Sequence, residues 1–122
     1  MAQTKLGDTV VNTNGNLPAV GSMAPEFTLT GNDLKDVKLS NFRGKFAVLN
    51  IFPSIDTSTC AMSVRTFNKL AATLPDTVVL CTARDLPYAM KRFCGAEGID
   101  KVITLSDFRS DAFRKDYGVM MT

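Results

Sequence analysis

A strand that runs directly into a helix is the feature that most constrains this fold. Residues 45–52 (KFAVLNIF) form a nearly continuous apolar run that ends at Pro53, and such a run is typical of a strand covered on both faces of a sheet. Apolar residues then recur at helical spacing between residues 57 and 74, which predicts an amphipathic helix. We therefore predict a central strand and a helix joined by a loop, PSIDTSTC, at residues 53–60.

The chain after this helix repeats the order of strand and helix. We predict strands at residues 77–82 and 102–105 and helices at residues 87–94 and 106–117. Asp85 is the predicted N-cap of the first of these helices, Gly95 ends it, and Gly118 ends the second. This alternation indicates an α/β fold with a parallel sheet and right-handed crossovers. Because ligands of such sheets bind beyond the carboxyl ends of the strands, the loop at residues 53–60 is the candidate functional region.

The first part of the chain is predicted to be β-structure. Turn-forming residues at 12–16 (NTNGN) follow a short apolar stretch at 9–11 and predict a hairpin-like start. Residues 27–30 and 37–39 alternate around a turn, which predicts two more strands. No repeat, linker or low-complexity segment divides the sequence, so we predict one domain spanning residues 1–122.

Composition and charge exclude several classes of protein. The 122 residues include 45% apolar and 21% charged residues, which is ordinary for one soluble globular domain. The formal net charge is +2 and the Lys and Arg residues are scattered, so we expect no nucleic-acid partner and no membrane partner. The N-terminus has no apolar stretch of the signal-peptide kind, and we expect a cytoplasmic protein. With 3 cysteines, no CxxC pair and no histidine, the sequence predicts no metal site and no bound cofactor.

Cys60 closes the loop and lies near the third position of the predicted helix, whose N-cap is Thr57 or Asp56. Unpaired backbone N–H groups and the positive end of the helix dipole favour an anion there, and a thiolate is such an anion. The hydroxyls of Thr57, Ser58 and Thr59 offer further hydrogen bonds. Since the chain has no histidine, a reactive thiolate must depend on such groups or on cationic side chains. A small packed core residue is the other interpretation of Cys60, and both stay open on these residues alone.

The other two cysteines receive different interpretations. Cys81 falls inside the predicted strand TVVLCT and is expected to be buried and structural. Cys94 ends the helix predicted before Gly95, where it is either a packed helix residue or a partly exposed thiol. A pair of thiols in mobile segments forms a reversible disulfide when the α-carbons come within about 7 Å of each other.

Two longer stretches carry recognisable signatures. NIFPSIDTSTC contains the pattern Pro-x-x-x-Thr-x-x-Cys at Pro53, Thr57 and Cys60, and DLPYAMKRFCGAEG carries Cys94. Together with VVLC, VITLSDFR and YGV, these stretches resemble the bacterial thiol peroxidases of the atypical two-cysteine peroxiredoxin class. The likeness covers nearly the whole chain.

The resemblance implies a thioredoxin-like fold with an N-terminal β-hairpin, and the reduction of hydrogen peroxide and alkyl hydroperoxides. In that chemistry the Cys60 thiolate attacks the peroxide and becomes a sulfenic acid. Cys94 then forms an intramolecular disulfide with Cys60, which thioredoxin reduces by exchange. Thr57 would hold the thiolate and the peroxide oxygen, and Pro53 would shield the pocket from water. The resemblance also implies a homodimer.

The sequence departs from the family pattern at its C-terminal end. The resemblance implies several tens of further residues that form a hairpin, a last helix and a strand bearing an arginine, which activates the thiolate. Because the chain ends at Thr122, we expect a C-terminally truncated form that lacks this hairpin and helix and has impaired activity. Arg84 is expected to be a solvated surface charge. A role in place of the family arginine is the less favoured interpretation of Arg84.

Two rival functions compete with the peroxidase. The alternative function is that of a redox-responsive or interaction protein that keeps its thiols without turnover. A generic thiol-disulfide oxidoreductase is disfavoured because the sequence contains no CxxC pair.

Overall fold

The computed structural model describes residues 2–121, which divide into two compact units. One unit combines the two ends of the chain, Met1–Phe27 and Ser110–Thr122, and the other is the central segment Thr28–Arg109. The single domain that the sequence predicts for residues 1–122 stays a prediction. Among the described residues, no helix has the length and apolar character that crossing a membrane requires.

The unit formed by the chain ends begins with the predicted hairpin. Strands β1 (Gln3–Leu6) and β2 (Thr9–Asn12) pair in antiparallel fashion. Their turn is Gly7-Asp8 and not the NTNGN stretch, which begins at the last residue of the second strand. Gly7 has a φ of 61°, a left-handed conformation that glycine adopts at low cost in a two-residue turn.

The central unit is built on a five-stranded mixed sheet. Its strands, in chain order, are β3 (Thr28–Thr30), β4 (Asp36–Lys38), β5 (Phe46–Ile51), β6 (Thr77–Ala83) and β7 (Ile103–Ser106). Their order across the sheet is β4-β3-β7-β6-β5. β5, β6 and β7 are parallel, as the sequence pattern predicts. β3 pairs antiparallel with both β4 and β7. The predicted pair of strands around a turn is confirmed for β3 and β4, whose short connection permits only a hairpin.

Strand β5 lies at the edge of this sheet, although its composition predicts a central position. Within the described residues it pairs only with β6, and the side chain of Phe46 at its start is 75% exposed. An apolar run indicates that the faces of a strand are covered, but it does not indicate how many strands lie beside it. The prediction of a central position is therefore wrong.

Two helices of the central unit contribute side chains to its core: α1 (Ser58–Ala71) and α2 (Pro87–Glu97). Val64 of α1 and Met90 of α2 are both fully buried, together with Val79 and Cys81 of β6. Burial of this apolar surface is the main stabilising contribution to the unit. The core lies directly beneath the helix that carries Cys60.

The helix α2 begins at Pro87 as predicted, but its end and its N-cap residue differ from those predicted. The helix continues through Gly95 and ends at Glu97, and its C-cap is Gly98, whose φ of 67° is left-handed. At its start, Leu86 is the N-cap residue and Pro87 occupies the first turn. Asp85 is not the cap, because its carboxylate binds another loop.

The last predicted helix, at residues 106–117, is much shorter than expected. Ser106 belongs to β7, and α3 spans only Ala112–Asp116. Backbone pairing with β6 extends the strand to Ser106, so the helix begins later. Gly118 follows the helix with a φ of 69°, as its predicted role as a stop requires.

An aromatic cluster fills the unit formed by the chain ends. Phe27 meets the ring of Phe113 edge to face at 5.2 Å between centroids, and Phe113 lies 4.8 Å from the ring of Tyr117. The Tyr117 hydroxyl donates a hydrogen bond of 2.7 Å to the carbonyl of Pro25. The Tyr117 ring is therefore packed in the cluster while its hydroxyl has a hydrogen-bond partner.

Candidate active site

The backbone around Cys60 forms a capped helix N-terminus. Thr57 is the N-cap, so Cys60 is the third residue of α1, and its backbone N–H donates to the Thr57 hydroxyl at 3.3 Å. The structure thereby decides between Thr57 and Asp56 as the cap. The Cys60 side chain is half-buried and packs against the core of the central unit. A thiolate at this position lies beside the unpaired N–H groups of the first helical turn.

The Thr57 hydroxyl has two partners within its own loop. Its oxygen accepts from the N–H of Cys60, and its hydrogen donates to the carbonyl of Ser54 at 3.2 Å. A hydroxyl has one hydrogen to donate, so in this reduced form the hydrogen of Thr57 is committed to the loop. Donation to a thiolate or to a bound peroxide requires exchange of the bond to Ser54.

Asp85 holds the same loop from the end of the neighbouring strand. Its carboxylate accepts from the Ser54 hydroxyl at 2.7 Å and from the backbone N–H of Ile55 at 2.6 Å. Bonds to an ionised acceptor are stronger than neutral ones. The sequence signal for this contact was only that Asp85 follows the carboxyl end of a strand. The sequence predicts Asp85 as a helix N-cap and does not predict its contact with Ser54.

Pro53 lies in the turn between β5 and α1, where its side chain is half-buried. The residues on either side of the turn, Phe52 and Ile55, are 5% and 3% exposed and belong to the core. Proline restricts the backbone of this turn. The loop that leads to Cys60 is therefore anchored by two buried side chains and stiffened between them.

Cys94 lies in the last turn of α2 and is half-buried against the same core as Cys60. Burial raises the pKa of the Cys94 thiol above its ordinary value, and a hydrogen bond with the Thr104 side chain opposes this effect. The thiols of Cys60 and Cys94 are both free. The structure therefore represents the reduced form.

Cys81 is fully buried in β6, which confirms the prediction of a structural position. Burial raises the pKa of its thiol to about 11, and a hydrogen bond from the side chain of Asn50 opposes this effect. The Asn50 amide nitrogen lies 3.7 Å from the sulfur. Cys81 is thus a thiol held in its protonated form at neutral pH.

The Cys81 thiol makes stability depend on alkaline pH. Its pKa is 9.0 in an unperturbed chain and about 11 in the fold, so the folded state holds this proton more tightly. The contribution is fully present below about pH 9 and is lost as the pH rises towards about 11. The loss should reach about 2 kcal/mol.

Urea unfolding across this pH range provides the measurement. The Cys81→Ala variant should lose stability less steeply with rising pH than the parent chain, because only the parent titrates this thiol. Cys94 and Tyr117 titrate in both proteins, so their effects cancel in the comparison. Identical pH slopes for the two proteins would contradict the prediction.

Arg84 is less solvated than the sequence predicts. Its side chain is 35% exposed, and its Nε lies 4.0 Å from Oδ1 of the buried Asp107. Arg84 and Asp107 follow the carboxyl ends of β6 and β7, at the same edge of the sheet as the Cys60 loop. The expectation of a free surface charge is corrected to that of a half-buried cation beside a buried carboxylate.

The site combines the ends of parallel strands with a cysteine at the following helix N-terminus, and the class of protein follows from comparison with known proteins. A family model described as Redoxin matches residues 19–122 of this chain. The crystal structure of a peroxiredoxin-like protein from Aquifex aeolicus has a TM-score of 0.89 and 32% identity, covering 98% of this chain and 69% of that one. The class is therefore that of the redoxins, and the predicted thioredoxin-like α/β fold is confirmed.

Sequence relatives define the family more closely. Thiol peroxidases from Mycobacterium bovis and Mycobacterium tuberculosis are each 58% identical over 119 residues, which is 98% of this chain and 71% of each relative. A thiol peroxidase from Chromobacterium violaceum shares the fold, with a TM-score of 0.89 at 23% identity, over 98% of this chain and 70% of that one. This chain belongs to the thiol peroxidases, peroxiredoxin-type enzymes that act on a peroxide with a thiol reductant.

Proposed function

We propose that this chain reduces hydrogen peroxide and alkyl hydroperoxides, with Cys60 as the attacking thiolate and Cys94 as the resolving thiol. The observation that carries the proposal is the position of Cys60 as the third residue of α1, half-buried and flanked by a capped helix N-terminus. Unpaired N–H groups there stabilise the thiolate and the charge that develops on the peroxide oxygen. The contrast with Cys81, which is fully buried in a strand, supports the choice of nucleophile.

The first step forms a sulfenic acid. The Cys60 sulfur attacks the terminal oxygen of the hydroperoxide, the O–O bond breaks, and the other oxygen leaves as water or an alcohol after it takes a proton. Sulfur is oxidised and the peroxide is reduced. The Cys60 N–H is already paired with Thr57, so the N–H groups of Ser58 and Thr59, the first two residues of α1, are the donors for these oxygens.

The second step forms a disulfide. The Cys94 sulfur attacks the Cys60 sulfur, the S–O bond breaks, and water leaves with the proton of the Cys94 thiol. Burial raises the pKa of Cys94 in the reduced form, so exposure of the α2 end favours this step. Thioredoxin then returns both thiols by disulfide exchange.

The remaining residues have supporting roles. Thr57 caps α1 and, once it releases Ser54, donates its hydrogen to the thiolate or the peroxide oxygen. Pro53 shields the reacting sulfur from water. Thioredoxin as the reductant, a homodimeric assembly and a cytoplasmic location complete the proposal, and all three rest on the family resemblance or the sequence.

A peroxide pulse followed by mass spectrometry tests this function. The reduced chain, treated with one equivalent of hydrogen peroxide, should lose two hydrogens and yield a peptide pair joined through Cys60 and Cys94. Thioredoxin and its reductase should then restore the thiols and sustain peroxide consumption. Slow oxidation of all three cysteines without recycling would contradict the proposal and favour a redox-responsive protein without turnover.

A further inference from the structure

One residue, Asp85, connects the ends of three parallel strands at the active-site edge through its carboxylate and its backbone carbonyl. Asp85 lies two residues after the end of β6, and its carboxylate accepts from Ser54 and Ile55, which follow β5. Its backbone carbonyl accepts from the hydroxyl of Ser106, the last residue of β7. Ser106 is 1% exposed, so this anchor is fixed within the fold.

Three hydrogen bonds, linked through the covalent frame of Ser54, connect the Asp85 carboxylate with Cys60. Asp85 accepts from the Ser54 hydroxyl, the Ser54 carbonyl accepts from the Thr57 hydroxyl at 3.2 Å, and the Thr57 oxygen accepts from the Cys60 N–H at 3.3 Å. The Ser54 hydroxyl also accepts from the N–H of Asp56 at 3.1 Å. Asp85 therefore holds Ser54 and Ile55 directly, and it holds residues 56 and 57 through Ser54.

We propose that Asp85 is a positioning residue for peroxide reduction, which fixes residues 54–57 so that the first turn of α1 meets the peroxide in a reactive orientation. This inference rests on the proposed function, since it assigns Asp85 a part in the reaction of Cys60. Asp85 acts through Ser54 and Ile55 and is not itself a reacting group. Small displacements of such a loop are costly because the reacting atoms must be aligned.

The same residue lies between the two cysteine segments. Asp85 comes immediately before Leu86, the N-cap of α2, and α2 carries Cys94. Its side chain holds the loop of the attacking thiol, while its backbone leads into the helix of the resolving thiol. Loss of the carboxylate therefore releases the Cys60 loop from the segment that positions α2.

The test compares two reactions of Cys60 in the full chain. In the Asp85→Ala variant, the second-order rate constant with hydrogen peroxide should fall at least about tenfold, because alignment is lost. Alkylation of Cys60 by iodoacetamide should change little, because it requires a thiolate but no oriented peroxide. A merely structural role would lower both rates together or leave both unchanged, and either outcome would overturn the proposal.

Matched variants test whether loss of the Asp85 carboxylate causes the lower rate with peroxide. Asp100→Ala removes an exposed carboxylate outside this loop and should react with peroxide at the parent rate. Asp85→Asn keeps an oxygen for the Ile55 N–H and should recover part of the lost rate, and Ser54→Ala should show a smaller loss than Asp85→Ala. If Asp85→Ala does not fold, Asp85→Asn and Ser54→Ala carry the test, and parent rates in both would overturn the proposal.

Amide hydrogen exchange separates this proposal from the proposed function. Peptides that cover residues 54–60 should exchange faster in Asp85→Ala than in the parent or in Asp100→Ala, because the loop opens more often. A parent chain whose Cys60 ignores peroxide would contradict the proposed function. Unchanged exchange in Asp85→Ala would overturn the positioning role whatever the peroxide result.

Discussion

Replacement of Cys60 by serine should abolish peroxide reduction. A serine hydroxyl is not ionised at neutral pH and forms no sulfenic acid, so removal of the nucleophile should lower the rate at least about a thousandfold. The fold should survive, because the side chain is half-buried at a helix start and the two side chains have similar size. Peroxide consumption with thioredoxin and its reductase, measured beside thermal unfolding, checks both expectations.

The matched control for this variant is Cys81→Ala. It removes a thiol from the same chain, but from a fully buried site in β6, so peroxide consumption should persist. Substantial turnover by Cys60→Ser, or loss of turnover only in Cys81→Ala, would mean that Cys60 is not the nucleophile.

Replacement of Cys94 by serine should preserve the first oxidation and stop the cycle. The chain should consume about one equivalent of peroxide at the parent rate and then cease, because no disulfide forms for thioredoxin to reduce. The steady-state rate should fall at least about a hundredfold. Stopped-flow consumption gives the number of equivalents, and trapping with dimedone followed by mass spectrometry locates the sulfenic acid on Cys60.

The Cys94→Ser variant also tests whether Cys94 is the thiol that resolves the sulfenic acid. Cys94→Ser that continues to turn over with thioredoxin would show that another thiol resolves the sulfenic acid. Excess peroxide should drive Cys94→Ser, but not the parent, towards the sulfinic and sulfonic acids of Cys60, because the sulfenic acid persists. Equal overoxidation of the two proteins would contradict the resolving role of Cys94.

Much of the fold could be predicted from local patterns. The apolar run of β5, the helical spacing of α1 and the burial of Cys81 depend on side-chain periodicity, which the sequence displays directly. The order of strand and helix predicts that Cys60 lies at a helix N-terminus after a parallel strand, and the structure confirms that position. Family resemblance then assigned the chemistry, which periodicity alone left open between a reactive thiol and a packed one.

The remaining features depend on contacts between distant segments. The sequence does not determine whether Gly95 or Gly98 ends α2, because glycine tolerates both a helical and a left-handed φ. In the fold Gly95 is helical and Gly98 is left-handed. The position of β5 at the edge of the sheet depends on strand order, which an apolar run does not encode.

By itself, the sequence determined the class of fold, the loop that carries the nucleophile and the likeness of its two cysteine segments to a family. Only the tertiary structure decided which groups the Asp85 side chain binds, since the local sequence pattern predicts a helix cap there. Its carboxylate turns to Ser54 and Ile55, 31 and 30 residues away in the chain. The physical reason is that β5 and β6 end side by side, so a residue at the end of one strand reaches the loop at the end of the other.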